Sequence, residues 1–250
     1  MRLFDPIGAS LAATLCALCL AAGAHAEAAD EEPARGIDVS HYQGRIRWDL
    51  MPAGSLHFAF IKATGGTHRV DPEFDNNWHG AREVGITRGA YHFFYAGDDP
   101  IAQAEHFART VISLRPDDLP PVIDVEITDG ATPEALVDGV LAWLRTVENR
   151  LGRRPIVYTY HAFANQYLVD PRLSGYPLWI AAYDVRQPVL PAAWDDRGWH
   201  FWQHTHNGSF SGVNTPVDLN VFNGSLGQLQ QFIRDYAGGA CPPESPSCPP

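Results

Sequence analysis

Cysteine is scarce in this chain, and its four copies lie near the two ends. Cys16 and Cys19 fall within the first 26 residues, and Cys241 and Cys248 lie in a proline-rich C-terminal stretch. The sequence between these pairs contains no cysteine, so disulfide bonds cannot hold its fold together. A bridge between Cys241 and Cys248 would close only a small local loop.

Positive charge is also limited. The 250 residues include 18 lysines and arginines against 29 aspartates and glutamates, which gives a formal net charge of −11. Lys62 is the only lysine, and the arginines form no basic cluster along the sequence. Because nucleic-acid binding depends on such a cluster, we expect no nucleic-acid partner.

Long hydrophobic runs are absent except near the N-terminus. Residues 7–22 form an apolar run that follows Arg2 and precedes the small-x-small site Ala24-His25-Ala26. This pattern is typical of a secretory signal peptide, so we predict a signal over residues 1–26. We expect export to the periplasm or the cell exterior, with no stable membrane insertion after cleavage. A linker over 27–34, a folded domain over 35–236 and a disordered proline-rich tail over 237–250 would follow.

Short apolar segments rich in β-forming residues alternate with helical patterns through the folded domain. Helices are predicted most clearly over 133–151, where Thr132 is a candidate N-cap before Pro133, and over 225–236, which we expect to pack outside a sheet. The predicted strands cover residues 36–39, 57–62, 87–94, 121–125, 155–160, 177–181, 200–203 and 217–222. Eight strands alternating with helices favour an α/β fold, a single parallel TIM-like barrel.

The second half of this barrel is too short to be regular. The last four strands and their connections span fewer residues than the first four. A parallel crossover requires a dozen or more residues, so not every later strand can be followed by a helix. The segment between residues 203 and 217 is rich in Gly, Ser, Asn and Thr and has no helical stripe. We therefore predict an irregular, helix-poor second half in which the last strands run antiparallel.

Two acidic residues lie at the end of the predicted strand over 121–125, one inside it and one directly after it. Asp124 and Glu126 are two positions apart, so their side chains point to the same face of a strand. Paired carboxyl groups in a partly dry site cannot both ionise freely, so the pKa of one should rise, as glycoside cleavage requires of its acid. The alternative is that both carboxyls simply lie at a solvated strand end.

Two further carboxylates are expected at the same end of the barrel. Asp38 closes the first predicted strand, at the face where barrel enzymes place their sites. Asp218 lies near the start of the last predicted strand and reaches that face only if the strand is antiparallel. Aromatic side chains, which pack against sugar rings, occur near the same strand ends. The candidate substrate contacts are Tyr91, Tyr158, Trp179, Tyr183 and Trp202.

Several ordered motifs together resemble glycoside hydrolase family 25, the Chalaropsis-type lysozymes or N-acetylmuramidases. The similarity extends from residue 36 to about residue 222. Its motifs are Gly36-Ile37-Asp38-Val39-Ser40, Phe60-Ile61-Lys62-Ala63-Thr64, Gly89-Ala90-Tyr91-His92-Phe93, Ile123-Asp124-Val125-Glu126, Leu178-Trp179-Ile180-Ala181, Trp202-Gln203 and Val217-Asp218-Leu219-Asn220. The resemblance implies a flattened, irregular (β/α) barrel and hydrolysis of the β-1,4 bond between N-acetylmuramic acid and N-acetylglucosamine in peptidoglycan.

Roles for the acidic residues also come from the resemblance. It implies that Glu126 is the general acid and that Asp124 orients the 2-acetamido group in substrate-assisted catalysis, with Asp38 and Asp218 lining the same mouth. It implies no metal and no cofactor, and we expect a monomer that acts on peptidoglycan glycan strands. One departure is Gly65, where many family members have Glu, and this puts substrate positioning in question.

Two other functions remain open at this point. His204 and His206 alternate as two metal ligands on one strand would, which allows a metal-dependent hydrolase. The pair borders a Gly/Ser/Asn loop and has no obvious third ligand nearby, which favours a polar strand end instead. The same cleft could also belong to a peptidoglycan-binding module with weak or no catalysis. Lys62, at the end of a predicted strand, is either a charge positioned beside the site carboxylates or an ordinary surface lysine.

Overall fold

The computed structural model describes residues 32–112 and 114–237. The predicted signal peptide, the first part of the linker, all four cysteines and the tail from residue 238 lie outside the described residues. Predictions about these segments therefore stay predictions.

Eight strands of the described chain close into a barrel, and a ninth adds a short hairpin. Each predicted strand segment contains an observed strand, which confirms the α/β barrel. The strands are β1 (Arg35–Val39), β2 (Phe58–Gly65), β3 (Arg69–Val70), β4 (Thr87–Phe93), β5 (Val122–Asp124), β6 (Ile156–Tyr160), β7 (Leu178–Ala181), β8 (Phe201–Gly208) and β9 (Val217–Phe222). The two-residue β3, which pairs antiparallel with the end of β2, was not predicted.

Among the eight described strands of the closed ring, only β9 runs against the others. The neighbours β1, β2, β4, β5, β6, β7 and β8 run parallel, and β9 pairs antiparallel with both β8 and β1, which closes the ring. The prediction of antiparallel last strands is therefore confirmed. Its consequence is that Asp218, near the start of β9, lies directly opposite Asp38, near the end of β1.

Helices are concentrated in the first two thirds of the barrel. They are α1 (Phe74–Glu83), α2 (Pro100–Val111), α3 (Pro133–Leu151), α4 (His161–Tyr167) and α5 (Leu226–Asp235). Residues 182–225 are all described and contain no α-helix, only a 3₁₀ turn at Ala192–Trp194, so the helix-poor second half is confirmed. No helix in the described ranges has the length and apolar character needed to cross a membrane.

The longest helix, α3, begins and ends where its sequence predicts. The Thr132 side chain accepts a hydrogen bond from the backbone N–H of Ala135, and Pro133 occupies the first turn, where no N–H partner is needed. Gly152 ends the helix at a φ of 66°, a left-handed conformation that favours glycine. One face is buried against the barrel through Leu136, Val137, Val140, Leu141, Trp143, Leu144 and Val147.

Two apolar cores lie on the two sides of the sheet. The larger fills the space between the strands and the outer helices, and the smaller, largely aromatic one fills the barrel interior. The final helix α5 joins the interior core through Leu229, Phe232 and Ile233, with Phe232 packed edge-on against Phe201. The expectation that this helix packs outside the sheet is wrong, because its apolar face covers the interior aromatic residues.

The interior core predicts a large stability effect at Gly36. A Cβ there would lie 2.3 Å from the buried ring of Phe58, whose position is fixed by edge-on contacts with Phe60 and Phe201. We expect Gly36→Ala to lower the free energy of unfolding by about 3 kcal/mol through overpacking, measured by urea denaturation. Gly97→Ala is the matched control, since its Cβ would meet only Asp129 at 3.6 Å. Equal stability of the two variants would contradict this account.

Candidate active site

The carboxyl ends of the parallel strands surround a cavity of about 270 Å³. Its walls include the four predicted carboxylates Asp38, Asp124, Glu126 and Asp218 and four of the predicted aromatic contacts, Tyr91, Tyr158, Trp179 and Tyr183. Strands β1, β5 and β9 thus bring four acidic groups into one small space. Burial and mutual charge must then decide which of them hold protons.

Alternation through the end of β5 and the two residues after it separates the two acidic side chains from the apolar one between them. Asp124 and Glu126 line the cavity, whereas Val125 is fully buried in the outer core. Burial raises the pKa of Asp124 well above its usual range, and the charge of Glu126 raises it further. Burial also raises the pKa of Glu126, and a hydrogen bond with the Tyr158 hydroxyl partly opposes this. The sequence predicts a raised pKa for one of the two carboxyls, and burial raises the pKa of both.

Asp124 has an oxygen with no protein partner. The side chain is buried, with 7% of its surface exposed, and its Oδ1 atom meets no hydrogen-bond donor among residues 32–112 and 114–237. An unpaired buried acceptor is costly unless a ligand supplies the donor. The arrangement therefore suits a bound molecule with an N–H or O–H group.

Asp38 and Asp218 form a second acidic pair across β1 and β9. The Asp38 Oδ2 atom accepts hydrogen bonds from Gln203 Nε2 at 2.9 Å and from Asn220 Nδ2 at 2.7 Å. Burial raises the pKa of Asp38 well above its usual range, and the neighbouring charge of Asp218 adds to this. Burial raises the pKa of Asp218 as well, while the hydrogen bond shared with Asp38 lowers it. Burial therefore disfavours the ionised form of both members of this pair.

Two buried amide side chains connect these acids to the aromatic residues. Gln203 Oε1 lies 2.8 Å from the hydroxyl of Tyr158 and also accepts a hydrogen bond from the hydroxyl of Tyr183. Asn220 Oδ1 accepts a hydrogen bond from Trp179 Nε1 at 2.8 Å. Sequence reasoning did not assign either amide to the site, because uncharged side chains do not stand out in the charge pattern. Their alternation on β8 and β9 was the available signal.

A comparison of the sequence with known protein families matches most of this chain to one of them. The profile of Glycosyl hydrolases family 25 matches residues 37–213, more than two thirds of the chain. The chain belongs to glycosyl hydrolases family 25. It is therefore a glycoside hydrolase, and the resemblance stated from the motifs is confirmed.

The relatives similar in sequence to this chain include one named for an activity and one that is not. "Uncharacterized protein YegX" of Escherichia coli strain K12 is 41% identical over 203 residues, covering 79% of this chain and 72% of that protein. Lysozyme M1 of Streptomyces globisporus is 34% identical over 220 residues, covering 84% of this chain and 74% of that protein. The bacterial lysozyme structure from Streptomyces coelicolor superposes with a TM-score of 0.77 at 31% identity, covering 82% of this chain and 99% of that one.

One expected substrate contact of this family 25 chain, Trp202, lies outside the cavity. Its neighbour Gln203 points inward, so alternation along β8 turns Trp202 toward the outer core. There its Nε1 atom donates a hydrogen bond to the carbonyl of Ala182 at 2.7 Å, and its ring contacts Trp199 edge-on. The side chain therefore supports the wall of the barrel, and we do not retain it as a substrate contact.

The departure at Gly65 leaves the acidic pairs intact. Gly65 is the last residue of β2 and does not line the cavity that holds Asp124 and Glu126. It borders a second cavity beside the first.

The two histidines of the metal hypothesis contact different aromatic residues. The ring of His204 lies against Trp202, outside the cavity, whereas the ring of His206 lies edge-on against Tyr183 at the cavity rim. Irregular pairing of β8 with β9 after Gln203 breaks the alternation that would align them. Within the described ranges, no group of three His, Cys, Asp or Glu side chains is placed to hold a metal.

Lys62 lies beside the acidic residues. Its Nζ atom is 4.9 Å from the ring centre of Phe93 and 5.9 Å from that of Tyr91, and the side chain lines the cavity. Its charge lowers the pKa of both Asp124 and Glu126 against the larger effect of burial. This position favours the interpretation of Lys62 as a charge that acts on the acidic pair.

Replacing Lys62 should therefore move the pH dependence of hydrolysis. Without the ammonium charge, the pKa values of Asp124 and Glu126 rise, so both limbs of the pH–rate profile shift to higher pH in Lys62→Met. The measurement is kcat/KM across pH 4–9 for the wild type, Lys62→Met and the charge-preserving Lys62→Arg. An unchanged profile in Lys62→Met would assign the lysine to packing alone.

Proposed function

We propose that this family 25 protein is a muramidase that hydrolyses the β-1,4 bond between N-acetylmuramic acid and N-acetylglucosamine in peptidoglycan. The observation that carries the proposal is the joint placement of Asp124 and Glu126 in one cavity with raised pKa values. Lysozyme M1, among the relatives, is consistent with this substrate. The protein acts as an exported monomer, in the periplasm or outside the cell, on glycan strands.

The first chemical step uses the proton of Glu126. A carboxyl whose pKa is raised by burial still carries a proton at pH values where an exposed glutamate has lost it. Glu126 donates that proton to the glycosidic oxygen as its bond to the anomeric carbon breaks. The leaving sugar departs with a neutral hydroxyl group, and Glu126 becomes a carboxylate.

Asp124 acts on the other side of the same carbon. The substrate's 2-acetamido oxygen attacks the anomeric carbon, while its N–H donates to the unpartnered Oδ1 of Asp124. This hydrogen bond favours the ionised form of Asp124, which stabilises the positive charge of the cyclic intermediate. With Asp124 ionised, the proton of the Asp124–Glu126 pair is on Glu126. The Glu126 carboxylate then takes a proton from water, whose oxygen opens the intermediate and restores the starting state.

Digestion of purified peptidoglycan tests the proposal directly. Soluble products are identified by mass spectrometry, and the expected products carry N-acetylmuramic acid at their reducing ends. Binding to the cell wall without release of reducing ends would instead identify the alternative, a peptidoglycan-binding module on the same fold. Products with N-acetylglucosamine at the reducing end would contradict the bond assignment.

A further inference from the structure

A second cavity of about 560 Å³ adjoins the catalytic cavity. Tyr42 and Lys62 line both, so the two spaces meet along these side chains. The second cavity lies between the end of β2, the β3 hairpin and Tyr95. None of the catalytic steps described above uses it.

The charge of this second cavity is opposite to that of the catalytic one. Lys62 and Arg69 supply two positive charges, and His41 and His68 add two titratable rings. Its one lining carboxylate, Asp71, is already engaged: Oδ2 accepts from the backbone N–H of His41 at 3.0 Å and contacts His41 Nδ1 at 2.7 Å. The chain as a whole has a net charge of −11, so a cavity lined by cations beside four carboxylates differs in charge from the rest of the protein. Such a cavity attracts anions.

Arg69 is held in place at the wall of this cavity. Its Nη1 atom donates to the hydroxyl of Tyr95 at 2.6 Å, and its guanidinium carbon lies 4.9 Å from the centre of the Tyr95 ring. His106 Nε2 lies 3.1 Å from the carbonyl oxygen of Arg69, which fixes the backbone of β3. A guanidinium has five N–H donors, and the bond to Tyr95 uses one of them. The others are available to a planar anion.

Gly65 keeps the same cavity open. A Cβ at this position would approach Phe93 and Tyr95 no closer than 3.5 Å, which is ordinary van der Waals contact. Neither crowding nor backbone strain therefore requires glycine here. Because Gly65 has no side chain, the cavity keeps free volume at this position. It also has no carboxylate there to cancel the charges of Lys62 and Arg69.

We propose that this basic cavity binds the carboxylate-bearing arm of a muramic acid residue next to the cleaved bond, with Arg69 as the principal contact. The inference rests on the proposed muramidase function. Muramic acid carries a lactyl group that ends in a carboxylate or continues into a peptide with further carboxylates. Both sources offer the planar anion that a guanidinium pairs with, and a neutral arm does not.

Steady-state kinetics on three forms of one substrate test the assignment. They are glycan strands with stem peptides, strands freed of peptides so that the lactyl carboxylate is exposed, and strands whose carboxylates are converted to amides. For Arg69→Gln we expect KM to rise about tenfold on carboxylate-bearing strands, from the loss of one charge-assisted contact, with the loss confined to KM. On amidated strands the KM ratio of variant to wild type should fall to one, and Arg69→Lys should recover part of the loss.

The peptide-free strands identify the source of the carboxylate. A KM effect that persists on them assigns the cavity to the lactyl group, and one that disappears assigns it to the stem peptide. An equal KM effect on amidated and carboxylate-bearing strands, or none on either, would overturn the proposal.

Gly65 provides an independent comparison of two variants that match in size and differ in charge. Gly65→Glu and Gly65→Gln fill the cavity equally, so any difference between them reports charge. We expect Gly65→Glu to have the higher KM on carboxylate-bearing strands and the two to agree on amidated strands. Equal KM values on all strands would contradict an electrostatic role.

The inference can also be separated from the proposed function. Soluble strands are titrated calorimetrically against the Glu126→Gln variant with and without Arg69→Gln. Wild-type protein that cleaves no strand would end the muramidase proposal, while carboxylate-dependent binding through Arg69 would still support the basic cavity. Cleavage with binding that ignores the carboxylate would do the reverse.

Discussion

Replacing Glu126 with Gln should reduce kcat on peptidoglycan by about 10³-fold, which is within the range for loss of a general acid. Gln has the size of Glu but no carboxyl proton to give to the leaving oxygen. Burial holds the pKa of Glu126 above its ordinary value, so the wild-type group keeps its proton at pH values where an exposed glutamate has lost it. The variant lacks that proton at every pH.

The measurement is the rate of reducing-end release from purified peptidoglycan, with Glu83→Gln as a control. Glu83 is exposed at the end of α1 and does not line the cavity, so its variant should match the wild type. Co-sedimentation with insoluble peptidoglycan should show that Glu126→Gln still binds. Retention of more than a tenth of the wild-type rate would remove Glu126 from the role of acid.

The acidic pair was predictable because it depends on one strand alone. The apolar residues on either side of Asp124, Ile123 and Val125, are buried, so the alternation of a β-strand is enough to place Asp124 and Glu126 on one face. The cap at Thr132 and the glycine at 152 bound α3 for similarly local reasons. Asp218 required one more step, since its position depended on the direction of β9. The short connection before that strand indicated the direction correctly.

Features that depend on several distant segments were not predictable in the same way. The stripe of α5 indicates that one face is buried, but it does not specify which side of the sheet covers that face. Trp202 and Gln203 are adjacent on β8, and only the register of the barrel decides which one points inward. The basic cavity combines the end of β2, a two-residue strand and Tyr95, none of which carries a periodic signal.

Replacing Asp124 with Asn should reduce kcat by 10²- to 10³-fold, the range found when one preorganised electrostatic contact to a charged intermediate is lost. The Asn side chain has nearly the same shape but no negative charge to balance the cyclic cation. Its effect should be greatest on N-acetylated strands, since the unpartnered Oδ1 of Asp124 is the proposed acceptor of the acetamido N–H. Kinetics on N-acetylated and de-N-acetylated strands measure this. A variant rate within tenfold of the wild type would contradict the role.

The same substitution should make the folded protein more stable at neutral pH. Because the pKa of Asp124 is raised in the folded state, that state binds the proton more tightly than the unfolded chain does. The free energy of unfolding therefore falls as pH rises from about 4, the ordinary carboxyl pKa, through the raised folded-state value. Asn removes this loss, so the variant should gain stability over the wild type at pH 7 but not at pH 3. Urea denaturation at both pH values measures the free energy of unfolding of the variant and of the wild type. If the variant were less stable at pH 7, its lost activity would be explained by unfolding. A variant that is both inactive and more stable would show that the charge is maintained for catalysis at the expense of the fold.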